Sequence, residues 1–283
     1  MQKSKTEKNN KGWLPTAALV ILLIAALVIA KYNGRQAPED TRSLSESDGT
    51  AAPAMQETGG EEEPSQPPVD KLAFINENPK LFTPQLVEMA NQNPDTVDYV
   101  YGYAFGGPQS ELFADIDTVS LDTVPLFFQW DSRWGYNSYS GGLMGYTGCG
   151  PTCLSMAAMY LTKNRAYTPW YVARYAADNG YSVEGHGTAW SLMSEGCRSF
   201  GLLAEELTPQ AYYVKLALDA GEPVICIMGP GDFTQTGHFI VLTGYRQEGF
   251  TVNDPFSAAN SEKVWPFDTV LGQAQGIWAY IAK

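Results

Sequence analysis

Positive charge and histidine are scarce in this 283-residue chain: 18 lysines and arginines stand against 31 aspartates and glutamates, with two histidines and four cysteines. A formal charge of −13 argues against nucleic acid as a partner, because phosphate binding rests on clustered Lys and Arg. No two cysteines form a C-x-x-C pair and only two histidines exist, so no metal and no other cofactor is expected. No stretch reads G-x-x-x-x-G-K-[ST], which removes the loop that cradles nucleotide phosphates. No internal repeat points to a solenoid.

One apolar run is long enough to cross a bilayer. Trp13 to Ala30 is eighteen residues without charge, preceded by Lys3, Lys5, Lys8 and Lys11. These lysines favour a cytoplasmic tail at residues 1–12, a transmembrane signal-anchor at 13–30 and an extracytoplasmic remainder, in a single-pass protein of the cell membrane. A cleaved signal peptide ending at Val28-Ile29-Ala30, giving a secreted protein, is the competing reading; the run exceeds the usual signal h-region of about 7 to 15 residues. Residues 31–70, rich in Glu, Ser, Pro, Gly and Thr, are expected to form a disordered acidic linker. Within 71–122, Leu81, Leu86, Val87, Met89 and Ala90, then Val97, Val100 and Tyr101, predict two short amphipathic helices divided at Asn93-Pro94. They are read as a helical N-terminal subdomain, with a propeptide or a partner-binding arm giving the same pattern. Residues 123–283 form the main domain.

The chemistry of that domain starts at Thr147-Gly148-Cys149-Gly150-Pro151-Thr152. Pro151 suits the opening turn of a helix, and Leu154, Ala157, Ala158 and Leu161 recur at the spacing of one helical face. Cys149 therefore lies where a loop enters a helix, beside unpaired N–H groups and the positive end of the dipole, which favour thiolate. By itself this fits a nucleophile or a buried core cysteine equally well.

Glu222 to Met228, His238 to Tyr245 and Phe250 to Asn253 read as strands, with Arg246 to Gly249 as a hairpin connection and Gly249 free to take a left-handed conformation. His238 opens its strand and is the preferred base over His186, which sits between two glycines. Asp254 is the preferred group to orient the imidazole, with Asn253 the alternative. If Arg246 pairs with Phe250, Asp254 faces Leu242, about 13 Å along the strand from His238, so contact requires a bulge, a bend or another register. Thr168-Pro169 predicts a helix ending at Gly180, and another should run from Gly187-Thr188 to near Gly201. Helices first and strands last describe an α+β domain with the nucleophile helix on an antiparallel sheet. Trp130, Trp134, Tyr136, Tyr139, Tyr146 and Phe233 either line a cleft or pack in the core. A disulfide among Cys153, Cys197 and Cys226 stays open.

From about Val124 to Ile281 the chain resembles the papain-like cysteine peptidases related to the bacteriocin-processing, double-glycine peptidases. The resemblance is carried, in the family's order, by Val124-Pro125-Leu126-Phe127-Phe128-Gln129-Trp130-Asp131-Ser132-Arg133-Trp134, Gly148-Cys149-Gly150-Pro151-Thr152, Gly187-Thr188, Gly221-Glu222-Pro223-Val224-Ile225, Gly237-His238-Phe239 and Asn253-Asp254-Pro255. It implies a papain-like fold, a Cys149, His238 and Asp254 triad, and an oxyanion hole made by the Gln129 amide and the Cys149 N–H. The chain departs from the family at Cys153, where a small residue or Ser is usual. No nucleotide-binding exporter domain follows, so leader cleavage coupled to export is not expected. The expected activity is cleavage of a peptide or protein substrate through a thioester. A cell-wall peptide amidase or transpeptidase and a silent binding module are the alternatives.

Overall fold

The computed structural model describes residues 70–107 and 116–283. The apolar run at 13–30 and the acidic stretch up to residue 69 lie outside the described residues; among those described, no helix is long and apolar enough to cross a membrane.

Three helices open the described chain, α1 (Lys71–Glu77), α2 (Pro84–Gln92) and α3 (Val97–Tyr103). Periodicity predicts two; the additional one starts because Asp70 Oδ1 accepts from Ala73 N at 3.0 Å, a cap that satisfies a first-turn donor. Leu81, counted on the apolar face, instead lies exposed in a 3₁₀ turn, Pro79–Leu81. Ile75, Leu86, Met89, Ala90, Tyr99 and Val100 bury one another in a core of their own, against which Trp130, Tyr136 and Phe256 also pack.

The remaining elements are β1 (Ser138–Tyr139), β2 (Gly142–Leu143), α4 (Met144–Thr147), α5 (Cys149–Thr162), α6 (Pro169–Asp178), β3 (Ser182–Val183), β4 (Gly187–Thr188), α7 (Ser191–Ser194), β5 (Leu202–Glu206), α8 (Ala211–Asp219), β6 (Val224–Met228), β7 (His238–Tyr245), β8 (Phe250–Asn253), α9 (Ala258–Ser261), β9 (Val264–Trp265), α10 (Phe267–Gln273) and β10 (Ala274–Ala282). Strands β5, β10, β6, β7, β8 and β9 lie in that order in one antiparallel sheet. The domain is thus α+β, with α5 packed on the sheet as the spacing predicts.

Both faces of this sheet are covered. Ile225, Ile227, Phe239, Val241, Trp278 and Tyr280 pack towards α5 and α6, while their neighbours Val224, Cys226, Met228, Ile240, Leu242 and Ile277 pack towards α8 and α10. Covering on both faces explains why β6 is apolar at every position rather than alternating. Helix α5 is buried from Gly150 to Met159, all round rather than on one stripe, because α6 and β7 flank it. Leu161, placed on that stripe by spacing, is only part-buried. Thr168 caps α6 as expected, its Oγ1 accepting from Tyr171 N at 3.1 Å. The helix expected after Thr188 shortens to one turn, α7, and a 3₁₀ turn at Gly196–Phe200 that ends at left-handed Gly201.

The hairpin between β7 and β8 departs from the simple count. Tyr245 pairs with Phe250, and Arg246 N donates to Gly249 O at 2.8 Å, so the connection spans four residues. Gly249 does not take a left-handed φ; its glycine is required because a Cβ there would collide with the Trp265 carbonyl of β9. Further along, Gly244 pairs with Thr251 but Leu242 with Val252, leaving Thr243 as an extra residue in a bulge. The two shifts together bring Asp254 two residues, about 7 Å of strand, closer to His238 than the simple count allows.

Candidate active site

The first turn of α5 presents Cys149, and the first residue of β7 presents His238. Gly148 is the helix N-cap and has no side chain to compete for the free N–H groups. Cys149 is part-exposed, whereas His238 is 8% and Asp254 1% exposed. His238 Nε2 lies 2.7 Å from Asp254 Oδ1, and the same imidazole is close enough to the Cys149 thiol for each to shift the other's ionisation. With Nε2 spent on the carboxylate, Nδ1 is the nitrogen left for sulfur.

Burial of Asp254 would favour its neutral form. It is outweighed by the His238 charge and by donors that converge on the carboxylate: Phe256 N at 2.8 Å and Ser257 N at 3.3 Å on Oδ1, and Asn260 Nδ2 at 2.8 Å on Oδ2. The carboxyl is held below its usual range. Burial likewise opposes charge on His238, but the adjacent Asp254 carboxylate and the Cys149 sulfur push the imidazole up to about 10. Cys149 is raised by burial and lowered by its hydrogen bond to His238, by the His238 charge and by the N–H groups of Phe239 and Gly150; the net direction is down. The three directions together favour passage of the thiol proton to the imidazole, with a carboxylate beside it.

Asn253 turns the other way along the strand. Its Nδ2 donates to Pro125 O at 3.0 Å and Val124 O at 3.2 Å, so its amide is committed to the segment leading to Gln129 and away from His238. Gln129 is buried; its N donates to Pro255 O at 2.8 Å and its Nε2 to Gly145 O at 3.0 Å. Flipping the amide would set two acceptors against each other, so the orientation is fixed although Oε1 then has no partner. One Nε2 hydrogen remains free to donate.

His186 lies exposed in the turn between β3 and β4 and takes no part. Among the aromatic candidates, Trp134 and Tyr139 are core, Tyr146 is exposed, and Phe233 packs on Trp265. Trp130 stacks on Phe128 at 4.6 Å between ring centroids. With Asp98, Phe105, Asp131 and Tyr136 these two rings line a cavity of about 570 Å³ that neither Cys149 nor His238 borders. All four cysteines are free thiols, and no cluster among the described residues has the makings of a metal site. Asn260, Ser257 and Ser261 were not legible as site residues: they act from the turn after Asp254-Pro255, where Asp254 N donates to Ser261 Oγ at 2.9 Å. Their only signal is a run of small polar residues that can bond backbone groups two to four residues away.

A cysteine at a helix start, near an imidazole on an antiparallel sheet, is an arrangement that suits a cysteine hydrolase. The model of the Peptidase_C39 like family matches residues 121–283, and the chain belongs to that family; it is a cysteine peptidase. Two solved structures are similar. A Bacillus anthracis protein described as a C39-like peptidase is 19% identical, over 58% of this chain and 98% of that one, with a TM-score of 0.36. The peptidase domain of Streptococcus ComA, a bi-functional ABC transporter involved in a quorum sensing pathway, is 14% identical, over 48% of this chain and 93% of that one, with a TM-score of 0.38. No curated protein matches the sequence.

Proposed function

We propose that this peptidase cleaves peptide bonds through Cys149, His238 and Asp254 by way of a thioester. The observation that carries the reading is the buried 2.7 Å contact of His238 Nε2 with Asp254, on an imidazole that also lowers the pKa of the Cys149 thiol. The thiol proton passes to His238, and the Cys149 thiolate attacks the substrate carbonyl carbon. Negative charge gathers on the carbonyl oxygen, where the free Gln129 Nε2 hydrogen and the Cys149 N–H are the donors. The tetrahedral adduct collapses as His238 gives its proton to the leaving amine, which leaves a Cys149 thioester. Water, losing a proton to His238, then attacks the thioester; the product carboxylate departs and the thiol is restored. Asp254 stays ionised and stabilises the imidazolium at each transfer.

The reading is tested by alkylating the protein with iodoacetamide across pH. An ordinary thiol reacts appreciably only as pH approaches about 8.5. Because the net shift of Cys149 is downward, its alkylation should persist well below that range. A rate that rises only with the ionisation of an ordinary thiol would sink the ion-pair mechanism.

We also propose that residues 13–30 anchor the protein in the cell membrane with the peptidase domain outside, a reading supported by the lysines before Trp13. Protease added to intact cells should then release the domain by cutting between Lys31 and Pro68. Protection that disappears on lysis would reverse the topology, and a released protein beginning at Lys31 would mean a cleaved signal.

A further inference from the structure

The loop that carries Asp254 is held partly by residues far outside the peptidase domain. Asn93 Nδ2, at the end of α2, donates to Phe256 O at 2.6 Å, and Asp95 Oδ2 accepts from Ala258 N, at the start of α9, at 3.1 Å. Trp130 Nε1 donates to the same Phe256 carbonyl at 2.8 Å, while the Phe256 side chain packs into the helical core. Phe256 N is in turn one of the donors on Asp254 Oδ1, so one residue joins the helices to the carboxylate. Asn93 is 7% exposed, which makes its bond to Phe256 a sheltered one.

A second contact reaches the other side of the site. Tyr99, buried on α3, donates its hydroxyl to Gly135 O at 2.7 Å, and Gly145 N donates to the same oxygen at 2.8 Å. Gly145 O is the acceptor that orients the Gln129 amide. A Cβ on Gly145 would fall on the Tyr99 ring, so the two are in close contact. The family match begins at residue 121, and these supports come from residues 93 to 99.

From this double attachment we propose that helices α1 to α3 are a built-in brace for the catalytic groups, with Asn93 a positioning residue for Asp254 and Tyr99 a positioning residue for the Gln129 amide. The inference rests on the triad reading above. It differs from a removable propeptide, whose departure would take one of two donors from each of the Phe256 and Gly135 carbonyls and uncover the Phe256 and Trp130 side chains that pack on the helices. Asn93 does two separable jobs: its Oδ1 caps the turn by accepting from Asp95 N at 3.1 Å, and its Nδ2 fixes Phe256. Serine at this position keeps a cap acceptor but is too short to reach the carbonyl.

The test uses the full chain and reads the His238 imidazole directly. With only two histidines present, each ring is resolved by NMR of histidine-labelled protein. The charged groups facing His238 are Asp254 and Cys149, so displacement of Asp254 must show as a lowered imidazole pKa. Asn93→Ser should move the His238 titration towards lower pH, in the same direction as Asp254→Asn but less far, and slow inactivation by chloroacetamide about tenfold, the effect of one lost hydrogen bond. Asn76→Ala breaks the paired amides of Asn76 and Asn91 between α1 and α2 without touching Phe256, and should lower Tm while leaving the titration in place. If Asn93→Ser does not fold, Asn93→Asp keeps both cap and size and replaces the donor with a carboxylate oxygen that the Phe256 carbonyl repels. A drop in Tm with an unmoved His238 titration in the Asn93 variant overturns the brace while leaving the triad intact. An unmoved titration in Asp254→Asn overturns the triad, and the brace with it.

Discussion

Cys149→Ala should reduce peptide cleavage by on the order of 10⁴-fold or more and abolish labelling by a thiol-directed acyl-mimic probe, since it removes the sulfur that forms the thioester. Cys153→Ser is the matched comparison. Cys153 lies one turn further along α5, is fully buried, and has its thiol pushed well above the usual range by burial and by the charges of Cys149 and Asp254. It is a packing residue with no thiolate to offer. Its serine variant buries a hydroxyl that is able to bond back along the helix, so a modest loss of Tm is expected with most labelling retained. Cleavage by Cys149→Ala at the wild-type rate would end the assignment. Equal losses in both variants, at equal Tm, would show that neither thiol is special. The mass of the products in the same experiment separates hydrolysis, which adds water to the peptide, from transfer to a second amine.

The parts of this site that depend on local pattern were legible in the sequence. β7 and β8 begin and end where the Val, Ile, Phe and Thr runs do, and α5 starts at the Gly-Cys-Gly-Pro turn. What escaped depends on contacts between distant segments or on backbone irregularity. The bulge at Thr243 has no mark in the hydrophobic pattern, because an extra residue in a strand buried on both faces leaves the run apolar or nearly so. Gly249 is glycine for the sake of Trp265, sixteen residues on, rather than for its own φ. Asn93 reads as punctuation before a proline; its bond to Phe256 spans 163 residues, and no local rule announces it. The choice between Asn253 and Asp254 hung on register. The bulge answers it geometrically, sending the Asn253 amide to the Val124 and Pro125 carbonyls and Asp254 to His238.

Asp254→Asn should lower turnover by ~10³ to 10⁴-fold while the domain stays folded and Cys149 remains open to alkylation. The cause is the imidazolium. Asp254 is a leading contributor to the raised His238 pKa, and without its charge the burial of the ring pulls that value down again. The alkaline limb of the pH–activity profile must therefore move to lower pH, and the thiolate loses the partner that favours it. Stability carries the same signature. A histidine raised from 6.5 to about 10 contributes fully below about pH 6.5, and that contribution is lost as pH rises towards 10. Asp254, whose pKa is lowered, contributes above its ordinary range near 3.8, and its share is lost as pH falls through the depressed value. The wild-type protein should thus lose Tm between pH 6.5 and 10 by an amount that Asp254→Asn does not show. Asn253→Ala should instead cost stability, by freeing the Val124–Pro125 segment, with a smaller effect on turnover per folded molecule. A crippled Asn253→Ala beside a mild Asp254→Asn, compared at equal folded fraction, would transfer the orienting role to the amide and refute the carboxylate-backed imidazolium on which the mechanism depends.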